Sequence, residues 1–269
     1  MKFSEIKKLY NQQGYVIIKK FFSQKIITEA KKEIFYISKN LYNSKNSLKY
    51  NNKNFDIFIL KSLKKNEKFS SKFYDVSKKF LSMQKFVFNK KVINLAQILL
   101  KSKEIGVLNR AYGYRMDRPN DKKFLTQLHQ DYIQNLGAPE GLVFYTTLRK
   151  VNKKNGPVIV YEKSHKLGLL NTKINIREKS KSKSYIIDVT KDKLKSLKEK
   201  QVFLNEGDLA VFNFFLLHKS SENFSKNIRW SMVSRFFNFN SKIGIKNFFP
   251  DGIQNKGFFE NYHPNKISK

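Results

Sequence analysis

Three side chains able to hold a metal stand in a telling order along this chain. His129 and Asp131 are separated only by Gln130, and His218 comes 89 positions after His129. Arg229 follows His218 by eleven positions. Two imidazoles and one carboxylate are the donor set of a facial iron(II) site, which leaves other positions open for a co-substrate and dioxygen. A guanidinium just beyond the last histidine is an always-charged fork suited to one end of a dicarboxylate such as 2-oxoglutarate. The chain has no cysteine, so disulfides and thiolate metal sites are excluded. An HxD tripeptide alone is common by chance; the distal histidine, the arginine and a strand-rich context give it weight.

The elements that must position these residues follow from periodicity. KKFLTQLHQD reads as a β segment ending at the motif, and side chains two apart on a strand share a face. His218 closes the apolar run DLAVFNFFLLH, and Arg229 opens RWSMVSRFFNF, which returns beside it. Further β segments are IGVLNRAYGYRM, GLVFYTTLRKV, GPVIVYE and SYIIDV, separated by turns such as NKKNGP and NEGD. Upstream of them the pattern is mostly helical. SEIKKLYNQQG is a helix stopped by Gly14, YVIIKKFF is a strand, and Ser23 caps a helix with Ile26, Ile27, Ala30, Ile34 and Ile37 at helical spacing. Residues 43–54 are a polar loop, and helical patterns resume from Phe55 to Leu100. The interval from Leu167 to Lys183 has weak periodicity and reads as a long loop of the kind that covers a site.

Strands gathered after helices predict a mainly β protein with flanking α, a sandwich or barrel rather than alternating βαβ. The expected organisation is a single domain over residues 1–269. Residues 1–104 give helical support, 105–240 the β core and 241–269 a C-terminal tail. No apolar run approaches the ~20 residues of a membrane span, and the polar N-terminus does not read as a signal peptide, so a cytoplasmic protein is expected.

Charge is the loudest bulk property: 54 Lys+Arg against 21 Asp+Glu give +33. Only seven of those cations are arginine, and the lysines are spread evenly among Asn, Ile, Phe and Tyr. Nucleic-acid sites concentrate basic residues and favour arginine forks, so compositional bias explains the charge better than a nucleic-acid partner. An anionic small substrate fits either origin.

With these landmarks in order, the chain resembles the phytanoyl-CoA dioxygenase-like (PhyH) family of iron(II)/2-oxoglutarate oxygenases. NQQGYVIIKKFFSQKIITEAKKEI is similar to the family's opening, LHQDYIQNLG to its HxD segment and NGPVIVYEKSHKLG to its NGP…PGSHK.G loop. EGDLAVFNFFLLHKSSENFSKNIRWSMVSRF is similar to its distal His/Arg segment. The resemblance implies a double-stranded β-helix (jelly-roll) core with the metal at one mouth. It implies iron(II) on His129, Asp131 and His218, and the distal carboxylate of 2-oxoglutarate on Arg229, with Ser220 as hydrogen-bond partner and Thr126 lining the pocket. YEKSH replaces the family's PGSH, which alters the local turn. Related halogenases leave the carboxylate position empty for chloride, so Asp131 implies hydroxylation or a similar oxidation.

Substrate candidates are Arg115, Tyr112 and Tyr114 in NRAYGYRM, with Gln127 on the strand face of His129. His165 reads as a turn or substrate-edge residue and His263 as a solvated tail residue. The expected partners are 2-oxoglutarate, dioxygen and a small molecule. The alternatives are an oxygenase acting on a macromolecule such as nucleic acid, and a non-catalytic binding protein on the same fold.

Overall fold

The computed structural model describes residues 1–45, 47–65, 69–108, 111–122, 125–177, 182–252 and 258–268. Helix α1 (Phe3–Gln13) ends as Gly14 takes a φ of 83° and donates its N–H to the Tyr10 carbonyl. That left-handed cap favours glycine. Strand β1 (Tyr15–Ile18) and helix α2 (Gln24–Leu41) follow. Ser23 does stand at the N-cap of α2, yet its hydroxyl makes no capping bond. Helices α3 (Ile57–Lys65), α4 (Phe69–Ser77), α5 (Leu81–Val87) and α6 (Lys90–Leu100) complete the helical layer.

The β region contains β2 (Ile105–Val107), β3 (Gly113–Asp117), a short helix α7 (Asp131–Asn135), β4 (Gly141–Thr147) and β5 (Val158–Tyr161). Then come β6 (Thr172–Arg177), β7 (Ser182–Ile187), helix α8 (Lys191–Lys195), β8 (Glu199–Val202), β9 (Leu209–Asn213), β10 (His218–Lys219) and β11 (Arg229–Asn238). Helices α9 (Lys242–Asn247) and α10 (Phe259–Tyr262) close the chain. A large antiparallel sheet runs β1-β9-β4-β11-β2, with β3 also on β11, and a smaller sheet runs β10-β5-β8. Strand β1, from the helical N-terminal stretch, is thus an edge of the main sheet, with Val16 opposite Val211.

Every residue of β4 is buried, because the large sheet is covered on both faces. Leu142 and Phe144 join Trp230, Met232 and the helices in one core; Val143 and Tyr145 join Val158, Val160 and Phe212 in another. A strand enclosed on both sides reads as a continuous apolar run rather than an alternation, which is why GLVFYTT carries no polar face. The result is the mainly β, helix-flanked sandwich that the pattern predicted.

Three expectations are corrected. DLAVFNFFLLH is not one strand: β9 ends at Asn213 and β10 starts at His218, so the segment leaves the large sheet and enters the small one. The interval 167–183 is not an open loop, since Thr172–Arg177 pairs with Ser182–Ile187 as a hairpin. KKFLTQLHQD is not a strand running through the motif; Asp131 is the first residue of α7. Lys123 and Phe124 of that segment, Asn109 and Arg110 of IGVLNRAYGYRM, and residues 178–181 lie outside the described residues.

A buried polar link ties the helical layer to the sheet. Asp56 accepts from Trp230 Nε1 at 2.9 Å and from Arg149 Nη2 at 2.8 Å. Removing a buried acceptor leaves two donors unpaired, one of them charged. Asp56→Ala is expected to cost about 2–4 kcal/mol in urea unfolding, and Asp56→Asn much less. A loss under about 1 kcal/mol for the alanine variant would show that Trp230 and Arg149 find other acceptors.

Candidate active site

The two histidines are joined through their backbones before their rings meet. His129 N–H donates to the His218 carbonyl at 3.0 Å, and His218 N–H returns the bond at 3.1 Å. This reciprocal antiparallel pair holds the two Cα atoms at close range and sets the ring centroids 4.1 Å apart. Each Nδ1 faces a carbonyl two residues back: Gln127 O at 2.8 Å for His129, and Leu216 O at 2.9 Å for His218. A carbonyl only accepts, so each Nδ1 carries a proton and Nε2 is the ring atom left to meet a metal.

Asp131 enters from the first turn of α7, so its side chain comes round to the imidazoles by helix geometry and not by strand alternation. One ligand atom from each of His129, Asp131 and His218 lies within 4.8 Å of the others. Asp131 Oδ2 is buried without a hydrogen-bond partner and sits 3.2 Å from His218 Nε2. A buried carboxylate oxygen beside an imidazole nitrogen is a pair of donor atoms that one cation can bridge. Gln130, between the ligands, points the other way and anchors the neighbouring loop. Its amide donates to Gly168 O and Phe215 O, each at 2.8 Å, and its oxygen accepts from Leu170 N at 3.0 Å.

The electrostatics suit metal binding. Burial, with His218 alongside, pulls the His129 imidazole down to about 3. Burial pushes the Asp131 carboxyl up, but Arg235 beside it and the histidines bring it well below the usual range. Arg235 Nε donates to Asp131 Oδ1 at 2.7 Å, and Asn135 Nδ2 donates to the same oxygen at 2.9 Å.

Arg229 is 1% exposed and faces the same pocket from β11. Burial works against its charge, and Asp117 and Tyr145 more than restore it. Nη1 donates to the Tyr145 hydroxyl. Nη2 lies 2.8 Å from Asp117 Oδ2, but off the line of a hydrogen bond, so Nη2 and Nε remain donors without a well-aligned acceptor. Thr126 and Ser220 do reach the pocket, where both hydroxyls are taken by Arg115. Its Nη1 donates to Thr126 Oγ1 at 2.7 Å and its Nη2 to Ser220 Oγ at 2.9 Å. Its Nε binds both Asp117 oxygens, at 3.1 and 3.2 Å. Ser220 is therefore bonded to Arg115 and not to Arg229.

The remaining sequence candidates are sorted by face. On β3, Arg115 lines the pocket and Asp117 shares its face, whereas Tyr114, and Tyr112 just before the strand, pack with the helices; the Tyr112 hydroxyl accepts from Gln84 and that of Tyr114 pairs with Ser82. Tyr112 is thereby removed from the substrate candidates. Gln127 is exposed and reaches the site only through its carbonyl. His165 is a turn residue, its Nε2 3.0 Å from Asn11 O. His263 is not a solvated tail residue: its Nε2 lies 2.8 Å from the Tyr132 hydroxyl and its ring stacks on Phe259. Sequence reasoning missed Asp117, Tyr145 and Arg235. Arg235 is an even six positions from Arg229, which on a strand means the same face; that signal was available.

Four cationic side chains (Arg115, Lys219, Arg229 and Arg235) line the pocket with a single carboxylate, Asp131, and with Val143, Val158, Phe212 and Val233 as its apolar wall. Its space is about 50 Å³.

A family model described as phytanoyl-CoA dioxygenase (PhyH) matches residues 10–231. The chain belongs to the PhyH family. Comparison by sequence with curated proteins gives no match. Solved structures share the PhyH-type jelly-roll fold at low identity. The epimerase SnoN, in complex with Fe3+, alpha ketoglutarate and nogalamycin RO, is 14% identical with a TM-score of 0.60, over 88% of this chain and 83% of that one. The carbocyclase SnoK from nogalamycin biosynthesis is 13% identical with a TM-score of 0.58, over 92% and 91%. EctD from S. alaskensis, with 2-oxoglutarate and 5-hydroxyectoine, is 14% identical with a TM-score of 0.57, over 87% and 76%. The PhyH match includes His129, Asp131, His218 and Arg229 and stops before Arg235. No described helix is long and apolar enough to cross a membrane.

A depressed imidazole has a signature in stability. Between about pH 3 and 6.5 the unfolded chain holds a proton on His129 that the folded, metal-free protein does not. Stability is therefore present above pH ~6.5 and lost as the pH falls below it, with a slope approaching ~1.4 kcal/mol per pH unit. Asp131 adds nothing between pH 7.5 and 5, because its depressed carboxyl matters only near and below the free value of ~3.9. His165 and His263 are lowered too and act in the same direction. Melting of the metal-free protein should fall between pH 7.5 and 5, and less steeply in His129→Gln; parallel slopes would show that His129 is not held neutral.

Proposed function

We propose that this chain is an iron(II)- and 2-oxoglutarate-dependent oxygenase that hydroxylates a C–H bond of a small anionic metabolite. The observation that carries the reading is the convergence of two imidazoles and an unpartnered carboxylate oxygen on one buried point. His129 and His218 would hold iron(II) through Nε2, and Asp131 through Oδ2. Arg229, with two donors lacking aligned acceptors, would take the distal carboxylate of 2-oxoglutarate. Bound iron and 2-oxoglutarate supply the activation of dioxygen that an unreactive C–H bond requires.

The protein's own part is placement and exclusion of water. The His129–His218 backbone pair presets the spacing of the imidazoles, so they lose little freedom when a metal arrives. The wall of Val143, Val158, Phe212 and Val233 keeps the reacting centre dry. Ser220 and Thr126 would reach the co-substrate only by giving up their bonds to Arg115. The excess of cations over carboxylates in the lining favours a substrate with a carboxylate or phosphate. Asp131 fills the carboxylate position, which supports oxygen insertion over halogenation. SnoN and SnoK are an epimerase and a carbocyclase, so product analysis has to separate hydroxylation from those outcomes.

The deciding experiment is anaerobic addition of Fe(II) and 2-oxoglutarate to metal-free protein, watched for the visible charge-transfer band of the chelate. The band is expected in the wild type and absent in His218→Ala. In Arg229→Ala the 2-oxoglutarate affinity should fall about tenfold to a hundredfold, the worth of hydrogen bonds to a charged group. His263→Ala should retain the band. Folded wild-type protein without a band would sink the proposal.

A further inference from the structure

Strand β11 alternates between two environments. Trp230, Met232 and Phe236 pack into the helix-side core, whereas Arg229, Val233 and Arg235 line the pocket. Two guanidiniums six residues apart thus enter one site from one strand, and they meet different anions: Arg229 meets Asp117, and Arg235 meets Asp131.

Arg235 is held at two points. Nε donates to Asp131 Oδ1 at 2.7 Å, and Nη1 donates to the Ala111 carbonyl at 2.8 Å. The backbone contact fixes the plane of the fork, so the carboxylate is met from one direction. Asn135, one turn along α7, completes the grip, donating to Asp131 Oδ1 at 2.9 Å and to the Asp131 carbonyl at 2.7 Å. Both acceptor sites of Oδ1 are therefore used, while Oδ2 has no hydrogen bond at all.

A carboxylate can give a metal one oxygen or two. Given two, it would take an extra coordination position, which a facial site needs for its co-substrate and dioxygen. We propose that Arg235 is a positioning residue: with Asn135 it withdraws Oδ1 and makes Asp131 a one-oxygen ligand, while serving as the buried carboxylate's counter-ion before the metal arrives. This rests on the iron reading above. The residue lies beyond the span matched by the family model, and its role is read from these contacts alone.

The test uses Mn(II) as the probe, since its binding is read by electron paramagnetic resonance without turnover. Arg235→Met should weaken Mn(II) binding by about tenfold to a hundredfold, the usual effect of removing a partner that orients a metal ligand. Arg235→Lys keeps the charge without the two-point fork and should fall between the variant and the wild type. Asn135→Ala keeps the arginine and should lose less than Arg235→Met. A merely structural role would lower the melting temperature and leave the spectrum of the saturated site unchanged. Here the Mn(II) line shape and the charge-transfer band of the Fe(II)–2-oxoglutarate complex should shift in Arg235→Lys at saturation. If Arg235→Met does not fold, Arg235→Lys and Asn135→Ala decide the matter. Wild-type affinity and spectra in both would overturn the proposal and leave the iron site standing. Failure of wild-type protein to bind Mn(II) would overturn the iron reading itself, and this inference with it.

Discussion

The reciprocal backbone bond between His129 and His218 is the constraint on which the rest of the site depends. It is a single antiparallel bridge outside the long ladders, yet it joins the segment between β3 and α7 to a two-residue strand of the small sheet. Because His218 also pairs with Val160 on β5, the register of one short strand sets the position of both imidazoles. A slip of one residue would turn His218 to the opposite face of the sheet. The carbonyls of Gln127 and Leu216 then settle ring orientation and tautomer, so the backbone prepares the histidines before any ligand is present.

Around that pair the pocket is a lattice of compensated charge. Arg229, Arg115 and Arg235 would be costly to bury alone, and each has a carboxylate within 3.1 Å. Asp117 serves two of them. It lies directly opposite Arg229 in the β3–β11 register, so their proximity comes from strand pairing and not from a flexible approach. Arg229 is therefore already partly neutralised, and the second guanidinium, Arg115, keeps the local balance positive. The same cation holds the Thr126 and Ser220 hydroxyls.

The large sheet is what allows a polar site and a dense core to coexist. On β4 and β11, neighbouring residues belong to opposite worlds: Trp230 and Met232 are packed under the helices, while Arg229 and Val233 look toward the small sheet. Trp230 is in turn locked to Asp56 at the start of α3, so the helical layer braces the strand that carries both arginines. Rigid support of this kind is what a site needs when half an ångström decides whether a donor reaches its ligand.

Much of this was legible from residue order. The HxD pair, the distal histidine and Arg229 follow from donor chemistry and spacing. Gly14 as a helix stop, the split between helical and β regions, and the apolar runs of β4 and β11 follow from periodicity and propensity, which act over a few neighbours. What the chain alone did not decide is how segments far apart in sequence meet. Tyr112 and Arg115 looked equivalent until β3 was placed against β11 and one face went to the helices. DLAVFNFFLLH read as one strand because nothing local marks the point where it changes sheets. Asp131 opens a helix, Thr126 and Ser220 answer to Arg115, and Arg235 grips Asp131 across 104 positions of sequence. These are choices of partner, settled only when tertiary packing buries charged groups and each must find the nearest compensating atom.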